Sequence, residues 1–383
     1  MNIKYAYQIR NGRVIDPLRG VDRVEDVFIK GSRIASAPVG EFEVEEVIDA
    51  EGCLVLPGLI DFHTHLNRAH SDIGIHPDLM TLPNGITSAV DAGSAGSANF
   101  EGFYKDVVCA SDITIKSFIN VSAVGAMTEQ YFEDPNPDFY DIVRLSYMFE
   151  RYPHQLLGLK LRIGKLFSKE YGVIPLGKTK ELAKELGTVM CVHAVHPESP
   201  YDEILSYFEK GDILCHCFQT KGDYNILDQN GRVASYVREA RERGVIFDCA
   251  SGRTNCSFGV AQRALADGFM PDVISTDVIT YSIYKPKVFN LLYTMSAYLA
   301  MGMPLDEVVR AVTATPAHLM GMQRTLGTLS PGALADVAVL KAREKPLTFH
   351  DQFGNSVHGD KLLVPQMTVK AGRTAHMQID FAF

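Results

Sequence analysis

The chain has 383 residues, of which 46% are hydrophobic and 22% are charged. That length is enough to bury a large core and to form a barrel with an accessory domain. The formal net charge of -9 argues against a nucleic-acid or anionic-membrane surface, because both surfaces are themselves negatively charged. We therefore expect a small-molecule partner, with neither nucleic acid nor membrane among the partners.

The N-terminal residues MNIKYAYQIRNGRVID are polar and strand-like, without the apolar run of a signal sequence. No later segment approaches the length of a membrane span. The seven cysteines are odd in number and scattered, which is typical of reduced thiols rather than of a disulfide framework. Together these features predict a cytoplasmic protein.

The predicted secondary structure changes in character at Pro57. Short strands with turn signals fill residues 1 to about 56, whereas apolar strands alternate with helical patterns from Pro57 onward. Such alternation indicates βα units and a parallel sheet, and eight units predict a TIM barrel whose active site lies at the carboxyl ends of the strands. The eight strands are predicted near residues 59–65, 86–91, 113–121, 156–162, 188–193, 212–216, 244–249 and 273–277.

Helical patterns occur between these strands, for example at 178–186 and 232–243, and each is long enough for a crossover. Two further helices are predicted after the eighth strand, at 288–301 and 304–320. Strand patterns then return after about residue 325, in 333–340 and 367–372.

The two ends of the chain are therefore predicted to pair into one small β module. The expected fold class is α/β, a (β/α)8 TIM barrel with a small β-sandwich domain formed by both chain ends. Residues 57–324 would form the barrel domain, and residues 1–56 and 325–383 would form the sandwich.

Polar residues stand at the predicted carboxyl ends of four strands. His63 and His65 end the first strand, His193 the fifth, His216 the sixth and Asp277 the eighth. Side chains alternate in direction along a strand, so His63 and His65 point the same way. One such histidine is usually a core residue, but four with an aspartate at matching depth indicate a site for zinc or another divalent metal.

Lys160 lies inside the otherwise apolar fourth strand. Burying an ammonium group is costly, so this lysine needs a counter-ion, a lowered pKa or a chemical change. Two interpretations stay open. Lys160 either pairs with a neighbouring carboxylate, or its neutral amine captures carbon dioxide as a carbamate whose two oxygens bridge two metal ions.

The order His-x-His, Lys, His, His, Asp on strands one, four, five, six and eight resembles the amidohydrolase superfamily of binuclear metallohydrolases. The phrase Pro57–His65 is similar to that superfamily's strand-one sequence, and Thr315–Ala317 and Gly332–Asp336 are similar to its closing segment. Gly158–Arg162 and His216–Phe218 are similar to the amidohydrolase/deacetylase group, close to dihydroorotases and hydantoinases. The resemblance covers essentially the whole chain.

One segment departs from that group. The end of strand seven often carries Asp-x-x-His-Gly there, whereas Asp248–Gly252 of this chain has Ser251 at the place of the histidine. The departure concerns the substrate rather than the metal centre.

The resemblance implies two divalent metal ions, with zinc expected first and manganese or iron as alternatives. A hydroxide would lie between the ions, and Asp277 would accept its proton and deliver that proton to the leaving group. Lys160 would be carboxylated and bridge the ions. The implied metal ligands are His63, His65, Lys160, His193, His216 and Asp277.

Four residues are candidates for substrate binding. Arg162 lies two residues beyond Lys160 and faces the same way, so its guanidinium either binds a substrate carboxylate or forms a structural ion pair. Ser251, Arg253 and Tyr281, on the loops after strands seven and eight, are weaker candidates.

The implied function is metal-dependent hydrolysis of an amide, cyclic amide or ester bond in a small anionic substrate, as in a deacetylase or a dihydroorotase-like enzyme. Relatives that deaminate amino-heterocycles mostly use one metal and lack the bridging lysine, so Lys160 speaks against that alternative. A non-catalytic scaffold paralogue is a further alternative, although all six ligand positions are filled. Homo-oligomers are common in the superfamily, and we expect one here.

Overall fold

The computed structural model describes residues 3–285 and 288–382. The chain begins with seven strands that belong to two sheets. These strands are β1 (Ile3–Arg10), β2 (Arg13–Asp16), β3 (Val21–Val24), β4 (Val27–Lys30), β5 (Arg33–Ala35), β6 (Phe42–Asp49) and β7 (Leu54–Pro57). Four of them form one sheet in the order β5-β4-β1-β6.

The next seven strands form a single parallel sheet in which neighbours along the chain are neighbours in space. They are β8 (Leu59–Thr64), β9 (Ile86–Gly96), β10 (Thr114–Asn120), β11 (Leu156–Ile163), β12 (Val189–Ala194), β13 (Ile213–Cys215) and β14 (Ile246–Asp248). The first seven predicted barrel strands are thus confirmed. The main difference is β9, which continues five residues beyond its predicted end at residue 91.

The eighth predicted strand, 273–277, is not a regular strand, yet its backbone closes the barrel. On one side Ser251 N donates a hydrogen bond of 3.1 Å to Ser275 O. On the other side Asp277 N donates one of 2.8 Å to His63 O. The first and last segments of the barrel are therefore joined directly at the height of the predicted metal ligands.

A buried carboxyl group on β8 also holds the eighth segment. Asp61 Oδ1 accepts a hydrogen bond of 3.0 Å from Thr276 N, and Asp61 Oδ2 accepts one of 2.6 Å from Thr276 Oγ1. Burial raises the pKa of Asp61 to about 7 despite these two bonds. Asp61 and Thr276 thus form a polar latch inside the barrel wall.

The chain returns to the first module with β15 (Val337–His350), β16 (Ser356–Lys370) and β17 (Arg373–Met377). These strands join earlier ones in a six-stranded sheet of order β17-β16-β15-β7-β2-β3. Side chains from both sheets share one apolar cluster, which includes Ile9, Ile29, Val55, Val337 and Val369. This confirms a β-sandwich formed by both chain ends, while the division at residues 56 and 324 stays a prediction.

Helices surround the barrel and cross between its strands. They are α1 (Pro77–Thr81), α2 (Phe100–Phe103), α3 (Ile142–Arg151), α4 (Ile174–Glu185), α5 (Tyr201–Ser206), α6 (Ser235–Glu242), α7 (Phe258–Ala266), α8 (Leu291–Ala300), α9 (Leu305–Ala311) and α10 (Ala314–Leu319), whereas α11 (Ile379–Ala382) follows the last strand of the sandwich. Within the part of the chain that the structure describes, no helix has the length and apolar character needed to cross a membrane. All seven cysteines are free thiols, as expected.

The predicted helix over 304–320 is wrong in one respect, because two helices, α9 and α10, occupy that segment. Pro316 lacks an N–H group, and its ring would clash with the carbonyl of Val312 in a continuous helix. The Val312 carbonyl instead accepts a hydrogen bond of 2.8 Å from Ile60 N on β8. The break therefore ties this helical pair to the barrel wall.

We predict that Thr276→Val destabilises the protein by about 1–3 kcal/mol, because the buried Asp61 carboxyl group loses its hydroxyl partner. Denaturant unfolding followed by circular dichroism would measure the change. The control is Thr374→Val, which removes an exposed hydrogen bond of 3.1 Å to Tyr7 Oη. A loss no larger for Thr276→Val than for the control would contradict the proposed latch.

Candidate metal centre and active site

The barrel closure brings together all six residues predicted as metal ligands. His63 and Lys160 lie on β8 and β11, and their Nε2 and Nζ atoms are 3.4 Å apart. The ring centroid of His216 lies 5.3 Å from that of His63 and 4.4 Å from that of His193. Side chains from distant parts of the sequence therefore form one continuous cluster at the carboxyl ends of the strands.

His63, His65 and Asp277 form the first part of the cluster. Asp277 Oδ1 lies 3.4 Å from His65 Nε2 and 3.7 Å from His63 Nε2. One ligand atom from each of the three residues lies within 4.8 Å of the others. Two imidazoles and a carboxylate at this spacing suit a single divalent cation.

The backbone of Asp277 is strained. Its φ of 50° lies in the left-handed region, which non-glycine residues adopt at a cost. Burial alone would raise the pKa of Asp277, but a hydrogen bond with His65 and the nearby imidazoles lower it below its ordinary value. The carboxylate is therefore ionised, as a metal ligand must be.

Three of the four histidines of the cluster, His63, His65 and His216, share an orientation in which Nδ1 is held by a neighbour. Such a contact fixes the ring and leaves Nε2 free to bind a metal. The contacts are His63 Nδ1 with Asp248 Oδ2 at 3.0 Å, His65 Nδ1 with Ser94 Oγ at 2.8 Å, and His216 Nδ1 with Ala250 O at 2.7 Å.

His193 and His216 form the second part of the cluster. Their Nε2 atoms are buried, and neither has a hydrogen-bond partner among the described residues. Burial lowers the pKa of both histidines well below the ordinary value, so both rings are neutral. Neutral imidazoles with unpartnered nitrogens fit the requirements of a divalent metal site.

Lys160 is only 2% exposed and lies beside these histidines. Besides His63, its Nζ contacts Cys215 Sγ at 3.7 Å and Cys191 Sγ at 3.8 Å. Burial disfavours the charged amine, but Cys191, Cys215 and Asp277 outweigh burial and raise the pKa of Lys160. A lowered pKa is therefore not found, and within residues 3–285 and 288–382 no carboxylate forms an ion pair with Lys160. The carbamate stays a prediction.

Arg162 forms the structural ion pair that was one of its two predicted roles. Its Nη1 lies 3.0 Å from Oε2 of the buried Glu133, and its guanidinium carbon lies 4.0 Å from the ring centroid of Phe167. Arg162 also lines the cavity above the histidines. Its charge is thus largely balanced before any ligand binds.

A cavity of about 230 Å³ opens over the cluster. Arg253 lines this cavity and pairs with Glu129 at the rim. Lys221 and Asn255 also line it, and both lie on loops after the sixth and seventh barrel strands. The cavity thus has a floor of candidate metal ligands and a polar, cationic rim.

Ser251 and Tyr281, both predicted to contact substrate, are not among the residues that line this cavity. The Ser251 backbone joins the barrel closure, and its Oγ is buried 3.6 Å from Cys249 Sγ. Tyr281 is 39% exposed. Their placement gives no support to a substrate contact.

Several polar residues of the site were not predicted from the sequence. Asp248 offered a usable signal, since it is a carboxylate at the end of a barrel strand. The others lie on loops or within long strands, where no spacing relates them to the histidines. They are Ser94, Glu133, Lys221 and Asn255.

The barrel and its ligand cluster define a metal-dependent hydrolase. An amidohydrolase family model matches residues 176–374, and a second model of the same description matches residues 46–98. The chain belongs to the amidohydrolase family. The family, the fold class and the enzyme class predicted from the sequence are thus confirmed.

Three similar proteins illustrate this membership. A deacetylase of Agrobacterium fabrum is 33% identical over 323 residues, covering 84% of this chain and 79% of the relative. The crystal structure of an adenine deaminase has a TM-score of 0.87 at 27% identity, covering 97% of this chain and 99% of that one. The crystal structure of a dihydroorotase has a TM-score of 0.84 at 29% identity, covering 97% and 98%.

We predict that Asp248→Asn weakens divalent-metal binding by about tenfold to a hundredfold, because His63 loses the carboxylate that orients it. Competition against a chromophoric chelator would measure the affinity. The matched control is Asp272→Asn, which removes a carboxylate paired with Arg241 instead. Equal metal affinity in the wild type and Asp248→Asn would show that this contact has no role in the site.

Proposed function

We propose that this chain removes an acyl group from a small anionic substrate by hydrolysis. An acetyl group is the acyl group that we expect. The observation that carries this proposal is the cavity in which the candidate metal ligands meet Lys221, a cation outside any ion pair within the described ranges. An acyl carbonyl would lie on the cavity floor, with the anionic group of the substrate at the rim.

We further propose a pair of divalent ions, with zinc first and manganese or iron as alternatives. His63, His65 and Asp277 would hold one ion, and His193 and His216 would hold the other. Bound metal ions lower the pKa of water and polarise a carbonyl, which supplies both nucleophile and electrophile. The unpartnered Nε2 atoms of His193 and His216 support this assignment.

The proposed role of Lys160 is to bridge the two ions as a carbamate. Cations next to the amine disfavour its ammonium form, and they favour the negative charge that the carbamate carries. The observed surroundings of Lys160 support a chemical change, since sulfur and imidazole atoms lie near Nζ instead of a paired carboxylate.

Asp277 is the proposed general base and acid. Its carboxylate lies at the cavity floor beside both histidines of the first strand. There it would accept a proton from the nucleophilic water and pass that proton to the leaving oxygen or nitrogen. Phe167 and Ile279 line the same cavity and would reduce the access of other water to the reacting carbonyl.

The anionic part of the substrate is proposed to bind Lys221. Its Nζ donates to Thr254 Oγ1 at 3.0 Å and to Asn255 Oδ1 at 3.5 Å, and both acceptors are uncharged. Arg162 and Arg253, by contrast, already pair with glutamates. Burial, followed by the charge of Arg253, lowers the pKa of Lys221, so an arriving carboxylate would relieve an unfavourable local field.

The relatives favour deacetylation over the other reactions. The deacetylase of Agrobacterium fabrum shares 33% identity, whereas the dihydroorotase and adenine deaminase structures share 29% and 27%. Lys160 again speaks against the deaminase alternative. A homo-oligomeric, cytoplasmic enzyme remains our expectation from the sequence.

We predict roughly two metal ions per wild-type chain, falling to one or none in Lys160→Ala together with loss of hydrolysis. Elemental analysis would be paired with a panel of N-acetyl amino acids, O-acetyl α-hydroxy acids and cyclic imides. The exposed Lys165→Ala serves as the control. One metal or none in well-folded wild type would overturn the binuclear assignment.

We also predict that Lys221→Ala raises KM about tenfold to a hundredfold for acetylated carboxylic acids, because a charge-assisted contact is lost. The methyl esters of the same substrates should show little change. Lys221→Arg should recover part of the affinity, and the exposed Lys210→Ala should behave as wild type. An equal rise for acids and methyl esters would place the anion elsewhere.

A further inference from the structure

We propose that Asn255 is a positioning residue for Asp277. The Asn255 amide would hold one carboxylate oxygen of Asp277, so that the other oxygen stays directed at His63 and His65. The inference rests on the proposed hydrolysis, because it assigns Asn255 to the group that would transfer the proton.

The two oxygens of Asp277 are divided between two neighbours. Asn255 Nδ2 donates a hydrogen bond of 3.1 Å to Asp277 Oδ2. The other oxygen, Oδ1, lies 3.4 Å from His65 Nε2. Because a carboxylate rotates about a single torsion, fixing Oδ2 also fixes the direction of Oδ1.

The orientation of the Asn255 amide is itself determined by donors on its other side. Asn255 Oδ1 accepts from Thr254 Oγ1 at 3.1 Å and faces Lys221 Nζ at 3.5 Å. An ammonium group can only donate, so the amide oxygen must face Lys221 and the amide nitrogen must face Asp277. The network thus leaves one arrangement of the amide.

The loop backbone is shaped around this contact. Gly252 has a φ of +51°, and a Cβ atom there would lie 2.6 Å from Asp277 Oδ2 and 3.0 Å from Asn255 Nδ2. The Gly252 N–H also donates a hydrogen bond of 2.9 Å to Thr276 O, in the segment that closes the barrel. A larger residue at this position would enter the space that Asp277 and Asn255 share.

The strand-seven departure noted in the sequence lies on the same loop as Asn255. Ser251 stands at the place of the histidine in the resembling group, and its hydroxyl is buried beside Cys249 instead of lining the cavity. Asn255, four residues later, is the side chain of this loop that contacts the site at Asp277. In this chain the loop therefore reaches the proposed general base through Asn255 and not through Ser251.

The chemical consequence depends on the leaving group. A poor leaving group, such as an alkoxide or an amine, needs the proton that Asp277 would deliver as its bond to the acyl carbon breaks. A 4-nitrophenolate leaves without that proton. Misdirecting Asp277 should therefore slow hydrolysis of aliphatic acetyl esters far more than hydrolysis of 4-nitrophenyl acetate.

The test compares Asn255→Ala and Asn255→Asp with wild type on both substrate types in alkaline buffer, where a metal-bound water would already be hydroxide, so that attack on the carbonyl does not depend on Asp277 as a base. Asn255→Asp keeps the size of the side chain but replaces the donor by a carboxylate oxygen that repels Asp277 Oδ2, whereas Asn255→Ala removes the donor without adding charge. We expect kcat on the aliphatic ester to fall about tenfold to a hundredfold in both variants, with less than about threefold change on 4-nitrophenyl acetate. Metal content and thermal midpoint should match wild type.

The exposed Asn230→Ala serves as the control and should resemble wild type on both substrates. Equal losses on the two substrates, or wild-type kinetics in Asn255→Asp, would overturn the positioning role. Loss of metal in both Asn255 variants would also overturn it, since Asn255 would then act through the ligand set. A wild type inactive on every acetylated substrate would instead reject the proposed function.

Discussion

The hydrogen bond between Asp277 N and His63 O is the contact on which the site depends. It joins the first and last segments of the barrel, and each of its two residues also places a side chain in the ligand cluster. Parallel strands present their carboxyl ends at one edge, so closing the ring converts six positions spread over more than half of the chain into a single cluster. The Asp61 and Thr276 contact supports the same seam from within the wall. The contacts that close the barrel therefore also set the distances among the candidate ligands, so the fold and the site depend on the same hydrogen bonds.

Without a bound ligand, the centre of the site lowers the stability of the folded protein. Two buried imidazole nitrogens have no partner within the described residues, and an unsatisfied buried polar group typically costs about 1–3 kcal/mol. His216, Ala250 and Asp277 adopt left-handed backbone conformations at the ends of neighbouring strands, which adds strain. The surrounding barrel tolerates these costs because large apolar clusters pack on both sides of its wall. A cation that satisfies the free nitrogens would recover part of this free energy, so the same features that weaken the bare protein favour occupation of the site.

Much of the fold, and the clustering of the six candidate ligands, could be predicted because strand patterns and residues at strand ends are visible in the sequence, while their role as metal ligands stays a prediction. Strand periodicity placed seven barrel strands, and alternation within a strand placed His63 and His65 on one side. Predictions were wrong or unsupported where tertiary contacts decide. The helix over 304–320 breaks because the Val312 carbonyl bonds to Ile60 and Pro316 cannot continue the helix. Ser251 turns into the wall, and Lys221 and Asn255 reach the cavity from loops whose path no local pattern specifies. The sequence left two equal interpretations for Arg162; the structure shows its ion pair with Glu133, and a substrate contact stays a prediction.

The sandwich shared by the chain ends has a consequence for the order of folding. Strand β7 pairs with β15 in a register that joins Pro57 to Val337 and Leu54 to Leu340. Contacts between residues so distant in sequence are slow to form, because the closure entropy of the intervening chain opposes them. During synthesis β2, β3 and β7 are made before the barrel, yet their six-stranded sheet stays incomplete until β15, β16 and β17 have been made. The barrel strands are therefore made beside an unfinished sheet, and a truncation before Val337 would expose the edge of β7 that pairs with β15.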